Sequence, residues 1–458
     1  MGTVQEDVMS ALEGFAGELL QPEDSAYEEV RRVHNGLIDR RPSLIARCRG
    51  VADVVDAVGL AREQGLEISI RGGGHSLAGY GVTDGGVMVD LSLMKGIHVD
   101  PLSSTARAQG GVTWGDLNRE TQVHGLAVTG GFVSTTGIAG LTLGGGLGWL
   151  MSKHGVAADN LLSAEVVTAD GRVLTANATE NRDLFWALRG GGGNFGVVTS
   201  FEYRLHRVGP LVTAGPVVHP FDEAANVLRF YRDFTADIPD ELTVIGALGH
   251  APDGSGTKVA IILPCHVGSP EQAQRDVQPL IAFGSPMDVQ IGPMPYTAVN
   301  TVFFDASYPK GSLNYWKSTF LGDLSDAAID TLVAHFATSP SATGGTAVAI
   351  EHFHGEVTRV PVEATAIPHR ERGYDVLIAS NWSDPPDTDE NVAWTRETFA
   401  ALAPFAIDRR YVNYLDIDDT GEDPTRAAFG PNYERLVEVK AKYDPANLFR
   451  LNQNIQPR

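Results

Sequence analysis

Two hydrophobic periodicities divide this chain. Near its start, charged and helix-like material in residues 21–50 gives way to the short apolar run Leu44-Ile45-Ala46-Arg47-Cys48, which predicts a strand. Val51, Val54, Val55 and Val58 then recur at helical spacing, and the pattern stops near Gln64-Gly65. Ile68-Ser69-Ile70 reads as a buried strand running directly into a loop, and Val87-Met88-Val89 as another. Strand, helix, strand and loop in this order set the loop at the carboxyl edge of a sheet, where α/β proteins commonly hold cofactors. From about residue 209 the texture changes. Residues 242–248 and 258–263 read as strands and residues 324–336 as a helix, which suits an antiparallel sheet with one ligand-facing side.

The first loop is Arg71-Gly72-Gly73-Gly74-His75-Ser76-Leu77-Ala78-Gly79-Tyr80. Three consecutive glycines cost backbone entropy and bury no side chain, so the main chain there must approach a ligand closely or take positive φ. A large, flat ligand is expected against it. Glycine is dense again across residues 110–148, interleaved with Val128, Phe132, Ile138, Leu141, Leu143 and Leu147, which need burial. Flexible linkers lack that interleaving, whereas backbone amides turned towards phosphates account for it. Gly191-Gly192-Gly193-Asn194-Phe195-Gly196 matches GxGxxG. Residues 181–188 before it read as helix rather than strand, and no acidic residue follows at about twenty positions, so the dinucleotide fingerprint fails on context.

Two further segments carry candidate chemistry. In Glu351-His352-Phe353-His354-Gly355-Glu356, a strand would put His352, His354 and Glu356 on one face, a candidate metal constellation. The competing reading is a substrate-facing strand without metal, on which register decides whether Glu351 or the two histidines line a pocket. In Tyr411-Val412-Asn413-Tyr414-Leu415-Asp416, a strand would place Asn413 and Tyr414 on opposite faces. Both can face one ligand only across a bulge or a strand end.

Composition narrows the partners. The 458 residues exceed what one core usually supports, so two domains or a large insertion are expected. A formal charge of -22 disfavours nucleic acid and anionic membrane surfaces, leaving a small molecule as the expected partner. Residues 1–20 are acidic and show no leader, and no apolar run is long enough to span a bilayer, so a cytoplasmic location is expected. Cys48 and Cys265 have no metal spacing and read as buried thiols.

The Arg71-to-Ser76 loop, with Gly79-Tyr80-Gly81 and the strand-like run Gly86-Val87-Met88-Val89-Asp90-Leu91-Ser92, resembles the flavin-attachment segment of the berberine-bridge-enzyme-like branch of the vanillyl-alcohol oxidase / p-cresol methylhydroxylase (PCMH) superfamily. In that family the histidine is bonded to the 8α-methyl carbon of FAD, so the resemblance implies that His75 is the attachment point. Arg71, Gly72, Gly73, Gly74, Ser76, Gly79 and Tyr80 are implied beside it. Thr129-Gly130-Gly131, the Ser134-to-Gly140 run and the Gly144-to-Gly148 run resemble the family's pyrophosphate and isoalloxazine loops, implying contacts from Thr129, Gly130, Ser134, Thr136, Gly137, Gly140, Gly144 and Gly146. Asp159-Asn160 and the stretch holding Gly193, Gly196 and Val198 resemble its later flavin segments. Val133 stands where doubly linked members carry a second, cysteinyl bond, which implies a single link. Thr136 aligns with the position that gates oxygen.

A second match lies at the carboxyl end, in Tyr411-to-Asp416, Phe429-Gly430-Pro431-Asn432-Tyr433, Lys442-Tyr443-Asp444-Pro445-Ala446-Asn447-Leu448 and Asn452-Gln453-Asn454. By resemblance Tyr414 is the catalytic base, with Tyr411 and Asn413 beside the flavin. A free phenol ionises near pH 10 and needs a cation or hydrogen bonds to act at neutrality. Lys317, His369 and Arg370 are the candidate helpers, and Lys317, Glu351, His352, His354 and His369 the candidate pocket residues.

The resemblance implies an α+β fold with three parts. These are a PCMH-type FAD-binding domain of two α/β subdomains in residues 1–208, a substrate domain with a large antiparallel sheet covered by helices in 209–410, and a berberine-bridge-like segment, 411–458, returning to the FAD domain. It implies an oxidase that takes hydride from an alcohol, a sugar or a phenolic or polyketide-type molecule and reduces O2 to hydrogen peroxide, with no metal. The alternatives are a dehydrogenase with another acceptor, a flavin carrier, and a metal enzyme built on His352 and His354.

Overall fold

The computed structural model describes residues 14–251 and 253–458; residues 1–13, where most of the leader reading falls, lie outside the described residues. Strands Leu44–Arg47 and Ile68–Arg71 flank strand Val87–Asp90 and run parallel to it, and Glu18–Leu20 closes one edge antiparallel. The two strands joined by helix Val51–Glu63 are therefore separated by a third. Val54, Ala57, Val58 and Ala61 of that helix are buried with Leu44, Ala46, Val87 and Val89, which is why its apolar positions recur every three to four residues. In place of the expected helical material in residues 21–50, the structure has one short helix, Tyr27–Val30. Pro22, Asn35-Gly36 and Pro42 break any longer one.

A second sheet of five antiparallel strands, spanning Ile97–Asp100 to Val197–Arg204, completes this half of the molecule. Its core takes in Tyr433, Leu436, Val437 and Tyr443 of the late helix Tyr433–Tyr443, so the carboxyl end of the chain packs back against it. Lys440, fully buried, fastens this return. Its ammonium donates to Asp444 (2.7 Å) and to the carbonyls of Asn194 (2.8 Å) and Phe449 (2.9 Å).

The third sheet has ten antiparallel strands, all between Leu211 and Ile407. Helices Ala224–Thr235, Asp326–Ala337 and Thr388–Ala401 cover one face, burying Val348, Ile350, Val376 and Ile378. The alternate residues Ala347, Ala349, Glu351 and Leu377 face the other way, towards the glycine loops. No helix among the described residues is long and apolar enough to cross a membrane.

Candidate active site

A cavity of about 540 Å³ lies between the glycine loops and the open face of the ten-stranded sheet. Its loop wall is bare main chain, and the reason is steric. Gly73 and Gly137 are packed so closely that a Cβ on Gly73 would sit 2.2 Å from the Gly137 nitrogen, and a Cβ on Gly137 2.3 Å from the Gly73 nitrogen. Any side chain there would force the two loops apart and fill the groove. Gly72, Gly73, Gly74, Gly140, Gly193 and Gly196 add further lining, with Ser76, Tyr80, Thr136 and Val198 among them. Among the described residues no lysine or arginine lines the cavity. A phosphate group held there would meet backbone N–H donors and the hydroxyls of Ser76, Tyr80 and Thr136 in place of a cation.

His75 stands in this wall. Its ring stacks on His34 with centroids 3.9 Å apart, and its two nitrogens meet the hydroxyls of Thr135 (2.9 Å) and Thr136 (3.4 Å). Burial, reinforced by His34, holds its pKa well below the usual imidazole value, so the ring is neutral and keeps a lone pair. Val133 also lines the cavity, whereas Cys48 and Cys265 are packed in separate cores as free thiols. A dinucleotide fits the long glycine-lined groove, with an uncharged imidazole at its wall.

The carboxyl-terminal motif closes the cavity from the other side. Residues Val412–Tyr414 form a 3-10 turn in place of the expected bulge or strand end, and the turn lets Tyr411, Asn413 and Tyr414 all reach the same space. The Tyr411 hydroxyl accepts from the Gly146 N–H (2.9 Å), the Leu147 N–H (3.2 Å) and the Asn413 amide (2.9 Å). Asn413 in turn explains Gly144, where a Cβ would lie 2.0 Å from the Asn413 Oδ1.

Tyr414 donates its hydroxyl proton to Glu351 Oε1 at 2.9 Å. Glu351 is 3% exposed and Asp375, directly across in the neighbouring strand, is fully buried. Burial raises the Glu351 carboxyl to about 7, the Tyr414 hydrogen bond opposing the rise. Burial and then Glu351 push Asp375 well above the carboxylate range. The Tyr414 phenol rises well above 10 for the same reasons, burial first and then the two carboxyls. This corrects the expectation that Lys317, His369 or Arg370 lowers it. Lys317 points to the helix side of its strand and pairs with Asp418 (2.6 Å) and Asp419 (2.8 Å). His369 lies outside the lining; its Nε2 donates to the Arg410 carbonyl (2.6 Å) and its ring stacks on Phe320. Arg370 is held by Asp159 (2.6 Å).

Other predicted residues also stand behind the cavity rather than in it. Arg71 is paired with Asp90 (2.5 Å), and Thr129 donates to the Gly155 carbonyl (2.7 Å). Ser134 is bound to Asp305, Asn160 donates to the carbonyls of His154 and Val156 (both 2.9 Å), and Gly79, Gly130, Gly144 and Gly146 are themselves outside the lining, packed against Ile38, Trp114, Asn413 and Ala157. These residues shape the loops. The metal reading is corrected by the backbone. Strand Ala347–Phe353 ends before His354, and Glu356 opens a helix, so His352, His354 and Glu356 share no strand face. Among the described residues no group of three or more His, Cys, Asp or Glu could hold a metal ion. His352 and His354 stack on each other away from the cavity, while Glu351 faces it. Asp375, Trp316, Tyr308 and His34 escaped the sequence reading. Trp316 was legible in principle, because strand parity sets it opposite Lys317.

A glycine-walled groove with a neutral histidine, facing a buried Tyr-Glu couple across an α+β scaffold, defines a flavin-dependent oxidoreductase with a PCMH-type FAD-binding domain. Comparison with known proteins agrees. The family described as FAD binding domain matches residues 42–177, and the one described as berberine and berberine like matches residues 410–456. The chain is 33% identical to (R)-6-hydroxynicotine oxidase of Paenarthrobacter nicotinovorans, over 96% of this chain and 97% of that protein. It is 30% identical to glucooligosaccharide oxidase of Sarocladium strictum, over 92% and 88%. The solved structure of 6-hydroxy-D-nicotine oxidase from Arthrobacter nicotinovorans superposes with a TM-score of 0.88 at 32% identity, covering 97% of this chain and 99% of that one. This chain belongs to the berberine-bridge-enzyme-like FAD-linked oxidoreductases.

Proposed function

We propose that the chain is an oxidase whose FAD is bonded once, through His75, and whose substrate gives up a proton to the Tyr414–Glu351 couple. Residues up to 208 and from 411 onward hold the cofactor, and residues 209–410 supply the substrate wall. When bound, FAD supplies the hydride acceptor. The Gly72-to-Gly74, Gly137 and Gly193 backbones would cradle it, while Tyr411 and Asn413 hold the Gly146–Leu147 loop and Thr135 and Thr136 orient the imidazole.

The observation that carries this reading is the 2.9 Å contact between the Tyr414 hydroxyl and Glu351 Oε1 at the wall of the cavity. A lone phenol with a raised pKa is a poor base. Here the substrate's X–H proton passes to the Tyr414 oxygen while the Tyr414 proton passes to the Glu351 carboxylate, so the proton comes to rest on a group whose pKa is about 7 and the electron pair of the X–H bond stays with the substrate. Dioxygen is the proposed final acceptor, giving hydrogen peroxide. Val133 supports a single flavin link, since a valine offers no sulfur.

Purified protein run on a denaturing gel should show a fluorescent flavin band, and His75→Ala should lose it. A dark band for the unmodified chain overturns the covalent link. Anaerobically reduced protein mixed with air-saturated buffer should reoxidise rapidly and form peroxide; slow reoxidation identifies a dehydrogenase instead.

A further inference from the structure

We propose that Asp375 is a positioning residue for the Tyr414–Glu351 couple: it stays a carboxylic acid and donates its proton, as a hydrogen bond, to Glu351 Oε2 whenever Glu351 is ionised. This deepens the proposed function, because it takes Glu351 as the group on which the substrate proton comes to rest.

Register brings the two carboxyls together. Glu351 of strand Ala347–Phe353 lies directly opposite Asp375 of strand Gly373–Trp382. Residues paired in this way put their side chains on one face of the sheet with Cβ atoms about 4.5–5.5 Å apart, within reach of each other through their side-chain torsions. On its other side Asp375 is paired with Phe320, whose ring stacks on His369 and offers no donor. Asp375 is fully buried and neither of its oxygens has a hydrogen-bond partner among the described residues; Glu351 Oε2 has none either. Were both groups ionised, three acceptors would stay unmet and two negative charges would sit side by side in a dry site. One retained proton removes both penalties, since an acid O–H then meets a carboxylate oxygen and the pair carries a single charge.

No cation among the described residues takes that part. The titratable side chains facing the pair are Tyr414, Tyr411 and, beneath the sheet, Tyr231, all phenols that burial keeps protonated. Ser318, on the strand beyond Asp375, lowers it slightly without completing a hydrogen bond. Lys317 of that strand turns to the other face and pairs with Asp418 and Asp419, and His352 stacks on His354. Burial raises Glu351 to about 7, and burial with Glu351 beside it raises Asp375 well above the carboxylate range. Glu351 accepts from Tyr414 and is the member that ionises; Asp375 is the member that keeps its proton. When the substrate proton arrives through Tyr414, an O–H bond forms on Glu351 and the Asp375 O–H bond stays intact. Without the Asp375 donor, Glu351 would ionise only at higher pH, and the couple would be protonated and idle at neutrality.

Infrared spectroscopy of the holoprotein in D2O tests this, because a protonated carboxyl absorbs apart from a carboxylate and exposed carboxyls are ionised by about pH 6. Raising the pH should remove one buried acid band with a midpoint near 7, the band missing from Glu351→Gln. A second band should outlast it and be missing from Asp375→Asn. Asp416, raised to about 6, gives its own band in every variant. Asp375→Asn keeps a donor to Oε2 and should hold the Glu351 midpoint within about half a pH unit, whereas Asp375→Leu has none and should move it up by at least about one. Should Asp375→Leu not fold, Asp375→Ala supplies the same arm. The inference is overturned if no band outlasts that of Glu351, if the lasting band survives in Asp375→Asn, if the midpoint falls in both variants, or if loss of the donor leaves it unmoved. The bands are read with or without flavin, so a protein purified without flavin overturns the proposed function and leaves this test intact.

Discussion

Glu351 carries opposite demands at the scale of single residues. As the resting place of the substrate proton it must be ionised, so flavin reduction should rise with pH through an apparent pKa near 7 and level off above it. The groups facing it, Asp375, Tyr414, Tyr411 and Tyr231, include no cation that would move this limb to lower pH. Glu351→Gln and Tyr414→Phe should each slow anaerobic reduction by about a hundred- to ten-thousandfold without bleaching the bound flavin, and the former should flatten the pH limb. Stability has the other sign. A carboxyl whose folded pKa lies above its unfolded value favours the folded state at low pH, and that contribution disappears as pH rises from the ordinary carboxylate value through about 7. Glu351→Gln should therefore melt higher than the unmodified protein above about pH 7 and no higher below about pH 5, as read by thermal unfolding of the two proteins side by side.

Individual elements show which parts of the pattern were legible. Helix Val51–Glu63, helix Arg182–Ala187 and strands Leu242–His250 and Lys258–His266 formed where their apolar spacing predicts, because each buries a regular stripe or face. Residues 411–416 did not. Their turn depends on the Tyr411 hydroxyl reaching the amides of the Gly146 loop, more than 260 positions earlier, and no local spacing encodes such a contact. The fit between the glycine loops has a direct test: Gly137→Ala places a methyl against the Gly73 nitrogen and should lower the flavin-to-protein absorbance ratio of the purified protein. Helix Tyr433–Tyr443 offers another. Lys440→Met would leave Asp444 and two carbonyls buried without their shared donor, which should cost about 3–5 kcal/mol in chemical unfolding.

The whole molecule is held across its two halves by polar contacts that bracket the cavity. Arg370 reaches Asp159 with two bonds (2.6 and 2.8 Å), and Asn35 joins the Leu77 carbonyl (3.0 Å) to Asn314 of the large sheet (2.9 Å). Asp159 thus contributes by fixing the halves together, a role no sequence motif separates from direct cofactor contact. Arg370→Ala should strand a buried carboxylate and cost about 3–5 kcal/mol. Because the pair joins the two halves that enclose the cavity, loosened substrate binding should accompany that loss, measurable as a rise in KM beside a lowered unfolding midpoint.

The amino-acid sequence by itself determined the glycine loops, the histidine among them, the alternating strands of the second half and the carboxyl-terminal motif. Each is a local consequence of backbone freedom or of apolar period. Only the tertiary structure decided which side of the sheet meets the cavity. Strand Gly373–Trp382 is buried along its entire length, since helices cover one face and the flavin half covers the other. Where both faces are dry, hydrophobic alternation no longer distinguishes them. Glu351 faces the cavity with Asp375 paired beside it, and His352 and Lys317 take the far side, because the register of ten paired strands against a distant loop sets them there.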